Sequence, residues 1–284
     1  MNVRTITLGI DPELSGTAAL ERLVPPFFAG ADEAVRTSAR QLRTKRLLLP
    51  VVNASPRFSR ASCRSMVSWL AGLAQQSDAR WFNVPFTTFV DGTLDESFAA
   101  ALDVIQRETH AFVNFIVAED WKASPRGALE VARFIAKVSR LSRNGYDNFR
   151  VGAACNCPAN APFFPFTWHR GEPTFAMALE LVPAFLDVVE AAPGAPLDEL
   201  RERMVAVLAQ ELTACAEIGV ALARAHGVAF AGIDASLAPY PDARGSVAQL
   251  VELLGVDEFG GSGSLFATAL LTDVLRTAVA RSGV

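Results

Sequence analysis

Between residues 155 and 170 the chain reads CNCPANAPFFPFTWHR, which puts two of its four cysteines and one of its three histidines in one short stretch. A thiol beside an imidazolium or a guanidinium loses its proton more readily and becomes a nucleophile, so Cys155 or Cys157 with His169 makes a chemically sensible pair. Arg170 and Glu172 follow directly, a cation suited to an anionic substrate and a carboxylate. In an extended strand side chains alternate, which would set Cys155 and Cys157 on one face. A disulfide at that spacing is strained, so neighbouring thiols are expected. Pro158, Pro162 and Pro165 enforce an extended path on which Phe163, Phe164, Phe166 and Trp168 can wall an apolar pocket. The plainer reading, small core cysteines and a structural histidine, stands beside it. C-x-C with one histidine twelve residues on matches no usual zinc spacing, so no metal ligand is assigned and no cofactor is implied.

A second cluster lies in GVAFAGIDASLAPYPDARGS, residues 227–246. Here an apolar strand ends in Asp234 and Ser236 and gives way to a loop bearing Tyr240, Asp242 and Arg244. Ligands of parallel α/β proteins sit at the carboxyl ends of strands, so Asp234 is a candidate catalytic group and Ser236, Tyr240 and Arg244 candidate substrate contacts. Ordinary capping by Asp and Ser is the alternative. The third cluster is FGGSGS, residues 259–264, where Gly261, Ser262, Gly263 and Ser264 precede an apolar helix. Exposed N–H groups at a helix start attract anions, and the absence of a P-loop pattern points to a carboxylate or small phosphate rather than a nucleotide. Among single residues, Arg4 and Thr5 on the first strand face either a barrel interior or solvent, Asn114 interrupts an apolar strand, and Glu119 and Asp120 stand at that strand's end.

Elements that could position these groups follow from periodicity. Apolar runs predict strands at 3–10, 46–52, 81–86, 112–117, 149–156, 175–179 and 228–234, and amphipathic runs predict helices at 61–75, 94–109, 127–142, 197–226, 246–254 and 264–280. A helical stretch over 17–42 is expected to break at VPPFFAG, because Pro25 and Pro26 lack donors and collide with the preceding turn. The alternation is the βαβ signature of a mainly parallel sheet or barrel covered by helices. With 51% hydrophobic and 20% charged residues the chain has an ordinary globular composition. Its net charge of −4 lacks the basic footprint of a nucleic-acid binder. No uninterrupted apolar run approaches the roughly 18 residues needed to span a bilayer, and MNVRTITLGID is not built like a signal peptide; a cytosolic protein with reduced thiols and no membrane partner is expected.

VRTITLGI, NFRVGAACNCPANAPFFPFTWHRGEPTFAMALE and GIDASLAPYPDARGSVAQLVELLG followed by FGGSGSLFATALL resemble, in order, the landmarks of domain-of-unknown-function family 711, found in bacteria and archaea. The resemblance implies one α/β barrel over 1–284 with helices outside, like that of pyruvate formate-lyase and the anaerobic ribonucleotide reductases, whose strands surround a loop carrying the active cysteine. It implies no established activity. Family genes often neighbour one for a small ACT-domain protein, which makes such a protein a candidate partner and amino-acid metabolism a candidate setting. Typical members are considerably longer, so a homo-oligomer that completes the surface is a further expectation. The chain departs from the family at CNCP and FTWH, where A-N-V-P and A-A-Y-H patterns are usual. Its last residues, LTDVLRTAVARSGV, offer no glycyl-radical stretch. The resulting expectation is a non-radical enzyme, of lyase, cyclase or transferase type, acting on a small anionic, amino-acid-like metabolite. Cys155, Cys157, His169 and Asp234 would be its catalytic groups, with Arg170 and Arg244 matching the substrate's charge. A metabolite-binding regulatory or scaffold protein without catalysis is the alternative.

Overall fold

A computed structural model describes residues 1–90, 94–240 and 243–283. The chain runs β1 (Val3–Gly9), α1 (Pro12–Ser15), α2 (Thr17–Thr37), β2 (Leu42–Leu48), α3 (Arg60–Gln76), β3 (Trp81–Thr87), α4 (Leu94–Arg107), β4 (Ala111–Glu119), β5 (Lys122–Ala123), α5 (Pro125–Val138), β6 (Val151–Cys155), β7 (Thr174–Leu179), α6 (Leu181–Glu190), α7 (Leu197–His226), β8 (Ala229–Asp234), α8 (Val247–Leu253) and α9 (Ser264–Ser282). Among the described residues the strands form one eight-stranded mixed sheet, ordered β5-β4-β3-β2-β1-β7-β8 with β6 also alongside β4. Neighbours from β1 to β4, and β6 on β4, are parallel. β7 runs antiparallel to β1, and β8 follows β7 in parallel.

The fold is thus mixed α/β as expected, but the sheet is open. β6 and β8, at its two ends, do not pair, so the closed barrel implied by the resemblance is not formed. The two faces differ because strand side chains alternate. Ile6, Leu8, Leu47, Phe82, Val84, Phe86, Val113, Phe115, Phe175 and Met177 are buried in the main apolar cluster together with α2, α3, α4, α5 and α7. The opposite face carries Thr5, Thr7, Thr44, Arg46, Asn83 and Asn114, and is roofed by loops.

The break expected at Pro25 and Pro26 does not occur: α2 is continuous through both. Each internal proline costs about 3 kcal/mol or more, but Leu20, Val24, Phe27, Phe28 and Val35 are at most 1% exposed. At roughly 1.5–3 kcal/mol for each large apolar side chain, that burial outweighs the two missing donors. β2 begins four residues before its expected start and ends at Leu48. Its polar half is held by Lys45 pairing with Asp32 at 2.6 Å and by the Thr44 hydroxyl donating to the Arg4 carbonyl at 3.1 Å. Helix α7 is long and apolar enough, by length and composition, to cross a membrane. Its inward residues Leu200, Met204, Leu208 and Leu212 pack in the core, and its Glu211 pairs with Arg40 at 2.9 Å.

A close crossing of α2 and α7 gives a test. A Cβ at Gly30 would lie 2.3 Å from His226 Nε2, whereas one at Gly72 of α3 meets nothing within 4 Å. Gly30→Ala should lower unfolding free energy by about 1–3 kcal/mol through overpacking, and Gly72→Ala should raise it by about 0.5–1 kcal/mol through helix propensity. Urea melts of both variants check this; shifts of the same sign would contradict the close crossing.

Candidate active site

The carboxyl ends of β1 to β4 and the start of β7 share one edge of the sheet, where α/β proteins generally hold ligands. The segment 156–173, which joins β6 to β7, folds over that edge. Asn156 takes a left-handed φ of 52°, which ends β6 at Cys155. The alternation expected to align the two cysteines therefore stops between them. Cys155 is exposed, whereas Cys157 is half-buried in the loop with its sulfur 4.0 Å from the Pro158 carbonyl. All four cysteines are free thiols, with Cys63 and Cys215 inside the core.

Asn160 organises this loop. Its Oδ1 accepts the Arg170 backbone N–H at 3.0 Å, and its Nδ2 donates to the Arg170 carbonyl at 2.8 Å, which fixes the amide's orientation. The Thr167 hydroxyl donates to the Pro158 carbonyl and accepts the Ala161 N–H. His169, 1% exposed, donates its backbone N–H to the Leu49 carbonyl beyond β2. Its ring lies where a Gly9 side chain would be, 2.3 Å from an ideal Cβ, so Gly9 is the residue that admits it. Nδ1 faces Asn160 Oδ1 at 3.0 Å and Nε2 faces the Gly171 carbonyl at 2.9 Å. Both ring nitrogens thus face oxygens of the loop, of which the neutral ring, with one N–H, donates to one, and no hydrogen bond joins the imidazole to either thiol of the segment. Burial pushes the His169 pKa below its ordinary value, against the opposing pull of the Gly171 carbonyl and of Asp11 and Glu172.

Above His169 opens a cleft of about 510 Å³ bounded by Asp11, Thr87, Glu119, Trp168 and Arg170. Asp11 is partly committed, its Oδ1 capping α1 through the N–H groups of Glu13 and Leu14. Thr87 is held by Asn53, whose amide exchanges two 2.8 Å hydrogen bonds with the Thr87 backbone. Arg170 is exposed and makes no ion pair among the described residues. A smaller recess of about 240 Å³ shares Glu119, Trp168 and Arg170 and reaches Cys157. Burial pushes the Cys157 thiol up, so it is protonated at neutral pH rather than activated as a thiolate. Among the described residues no three His, Cys, Asp or Glu side chains converge as a metal set. Glu172 is exposed beside the cleft, its carbonyl accepting the Thr174 hydroxyl.

The other two expected clusters do not join this edge. β7 reverses direction, so β8 ends at the opposite edge, where Asp234 lies level with Ala178 and Thr5. Asp234 Oδ1 accepts the Ser236 N–H at 2.8 Å in a local turn. Tyr240 stacks under Arg4 and Arg43, each 4.7 Å from its ring centre. Arg244 is bound to Asp187 and Glu190 of α6, not held free for a substrate. Asp242 lies outside the described residues. The glycine turn closes on itself, with the Gly260 N–H donating to Ser264 Oγ at 2.8 Å, and Gly263 stands at the N-cap of α9. Gly261, Ser262, Gly263 and Ser264 therefore border neither recess of the cleft. Asn160 and Asn53 were invisible in the sequence as site residues. An asparagine between Pro158 and Pro162, the non-glycine residue type that most readily takes the left-handed φ of 57° found at Asn160, is the local signal that could have marked the first.

Two outcomes are expected. In a pulse of iodoacetamide at pH 7, Cys155 should alkylate first and Cys157 more slowly, while Cys63 and Cys215, pushed up to about 12 and about 11 by burial, react only on unfolding. Peptide mass spectrometry reads the order, and fast labelling of Cys157 would contradict its half-buried, protonated state. The lowered His169 pKa makes its contribution to stability complete above the unfolded value of about 6.5, and lost as pH falls below that toward the folded pKa. The loss should be no more than about 1.4 kcal/mol per pH unit, and His169→Gln should flatten the fall of stability between pH 6.5 and 5 in urea titrations. An unchanged slope would count against a neutral buried imidazole.

The family described as "Uncharacterised ACR (DUF711)" matches residues 1–284. Among curated proteins the chain is similar to a UPF0210 protein of Pyrobaculum arsenaticum, 29% identical over 198 residues that make up 67% of this chain and 43% of that protein. It is 25% identical to a UPF0210 protein of Pyrobaculum islandicum over 293 aligned residues, 97% of this chain and 65% of the relative. A UPF0210 protein of Carboxydothermus hydrogenoformans is 32% identical over 151 residues, 51% of this chain and 33% of the relative. The chain thus spans less than two thirds of the length of these relatives. With the match running from residue 1 to residue 284, the chain belongs to the DUF711 family.

Proposed function

We propose that the cleft at the carboxyl edge of β1–β4 binds a small amino-acid-like metabolite and that the chain acts on it by non-radical acid–base or thiol chemistry. The observation that carries this reading is that Arg170 and Glu119 line one recess together with Trp168 and Cys157. A guanidinium with no ion pair among the described residues suits a substrate carboxylate and gives it a bidentate partner. A carboxylate lining the same recess suits an ammonium, so together the two groups would select a zwitterion. His169 serves as a positioning residue: clamped to Asn160 and Gly171, it fixes the backbone of Arg170 between them. Cys157, protonated at rest, would act as an acid or, once a bound substrate takes its proton, as a nucleophile.

Binding without turnover is the second reading. It is favoured by the commitment of both His169 nitrogens, which leaves Cys157 without an imidazole base.

Calorimetric titration with L-alanine, L-aspartate and L-glutamate and their N-acetyl derivatives tests the reading. Arg170→Ala should weaken binding of both series by about tenfold or more, and Glu119→Gln should weaken only the free amino acids, each change removing one charged hydrogen bond. If no probe binds, or the variants bind as well as the parent, the cleft assignment is wrong. Chemical conversion of a bound probe that Cys157→Ser abolishes would decide for catalysis; binding that survives this change with no product would decide for the second reading.

A further inference from the structure

We propose that the helix-free face of the sheet holds a second site, for a small oxyanion bearing a phosphate or carboxylate group, gripped by Arg46 with the Thr7 hydroxyl and bordered by Arg4. This goes beyond the cleft reading, because the groups involved lie on the sheet face rather than at its carboxyl edge. Arg46 on β2 and Thr7 on β1 are register partners, so their side chains stand on the same face. Thr5 follows on that face next to Thr44. Thr5 and Thr7 are 3% and 6% exposed, and among the described residues their hydroxyls have no hydrogen-bond partner; neither does the buried Nε of Arg46. Three unpartnered donors on adjacent strands are costly unless something answers them.

Charge points the same way. Among the described residues Arg4, Arg46 and Arg80 form no ion pair, although nearby Arg43 is bound to Glu180 and Lys45 to Asp32. Burial pushes the Arg46 pKa down to about 10, and Arg4 and Arg80 add to that effect while Tyr240 and Asp234 oppose it. The group remains a cation at neutral pH, partly desolvated and, among the described residues, without a counter-charge in hydrogen-bond contact. Such a charge is expensive unless an anion pairs with it. Asp234, the nearby carboxylate, has one oxygen engaged by the Ser236 N–H.

Aromatic rings set the walls. Arg46 lies 4.7 Å over the Phe164 ring, and Arg4 lies 4.7 Å over Tyr240 while donating to the Ala238 carbonyl at 2.8 Å. The guanidinium groups are thereby held in place by stacking, leaving other N–H groups for a ligand. On the neighbouring strands the same face carries Ala176, Ala178 and Gly232, which leave the floor low. A planar fork plus a hydroxyl donor is the chemistry that recognises phosphate or carboxylate.

The test uses the full chain with arginine labelled by nitrogen-15, titrated separately with inorganic phosphate and with acetate. The Arg46 Nε resonance should move saturably with at least one of the two, and the arm that moves it identifies the chemical source. Arg46→Met should weaken that binding by about tenfold or more, Thr7→Val by several-fold, and Arg170→Ala not at all. If neither anion shifts the Arg46 Nε signal, or only the signal of exposed Arg80 responds, the site does not exist. The parent-protein titration decides the matter even if Arg46→Met fails to fold. Loss of amino-acid binding in Arg170→Ala with phosphate or acetate binding intact would keep the two sites separate.

Discussion

Seating the 156–173 segment on the helix-free face of the sheet is the constraint on which the rest of the structure depends. That face has polar groups at its centre that water does not reach, and a buried amide without partners is costly. Asn83, 0% exposed on β3, obtains carbonyl oxygens from Pro165 at 2.7 Å and Thr167 at 3.3 Å. Two glycines make the approach close enough. Gly9 admits the His169 ring, and Gly152 admits Phe166, whose ring would lie 2.5 Å from an added Cβ. The loop is therefore part of the core on its inner side, while its outer side forms the cleft that Arg170 and Cys157 border. A loop that lines a cleft keeps a fixed geometry only with such anchoring.

This placement explains why the conspicuous composition of residues 155–170 divides into two jobs. Phe164, Trp168 and His169 are buried and serve the seating. Cys157 and Arg170 remain accessible and serve the cleft. The expected thiol–imidazole pair combined one residue from each group. His169 instead spends both nitrogens on the loop itself, through Asn160 and Gly171, so its chemistry is structural even though its position is central.

Much of the fold was legible from periodicity because long apolar patterns override local noise: the Leu197–His226 helix has the bounds that its pattern predicts. Where the reading failed, a tertiary contact outweighed a local signal. Pro25 and Pro26 predict a break, but the helix faces of Phe27 and Phe28 are buried deeply enough to carry the chain through. β2 was misplaced because RLLLPVV is its most apolar stretch, whereas the ladder starts with polar residues whose partners, Asp32 and the Arg4 carbonyl, are remote in sequence. Glu119 could be placed at a strand end from its position after an apolar run. Asn160 and Arg46 could not be singled out, since their importance rests on which backbone or ring they meet.

Strand direction decides how the candidate groups are distributed. Chain order alone cannot distinguish a β7 that runs with β1 from one that runs against it. A parallel β7 would have carried β8, and with it Asp234 and Tyr240, to the edge where His169 lies, and the clusters read from the sequence would have converged. The antiparallel β1–β7 pairing sends that pair of strands the other way, so Asp234 ends level with Thr5 at the amino end of β1. Tyr240 then reaches Arg4 and Arg43 instead of Arg170. One reversed strand thus separates the cleft at the carboxyl edge from the arginines of β1 and β2 and the aromatic rings beside them, and it makes those cationic residues the chemical neighbours of the segment that follows β8.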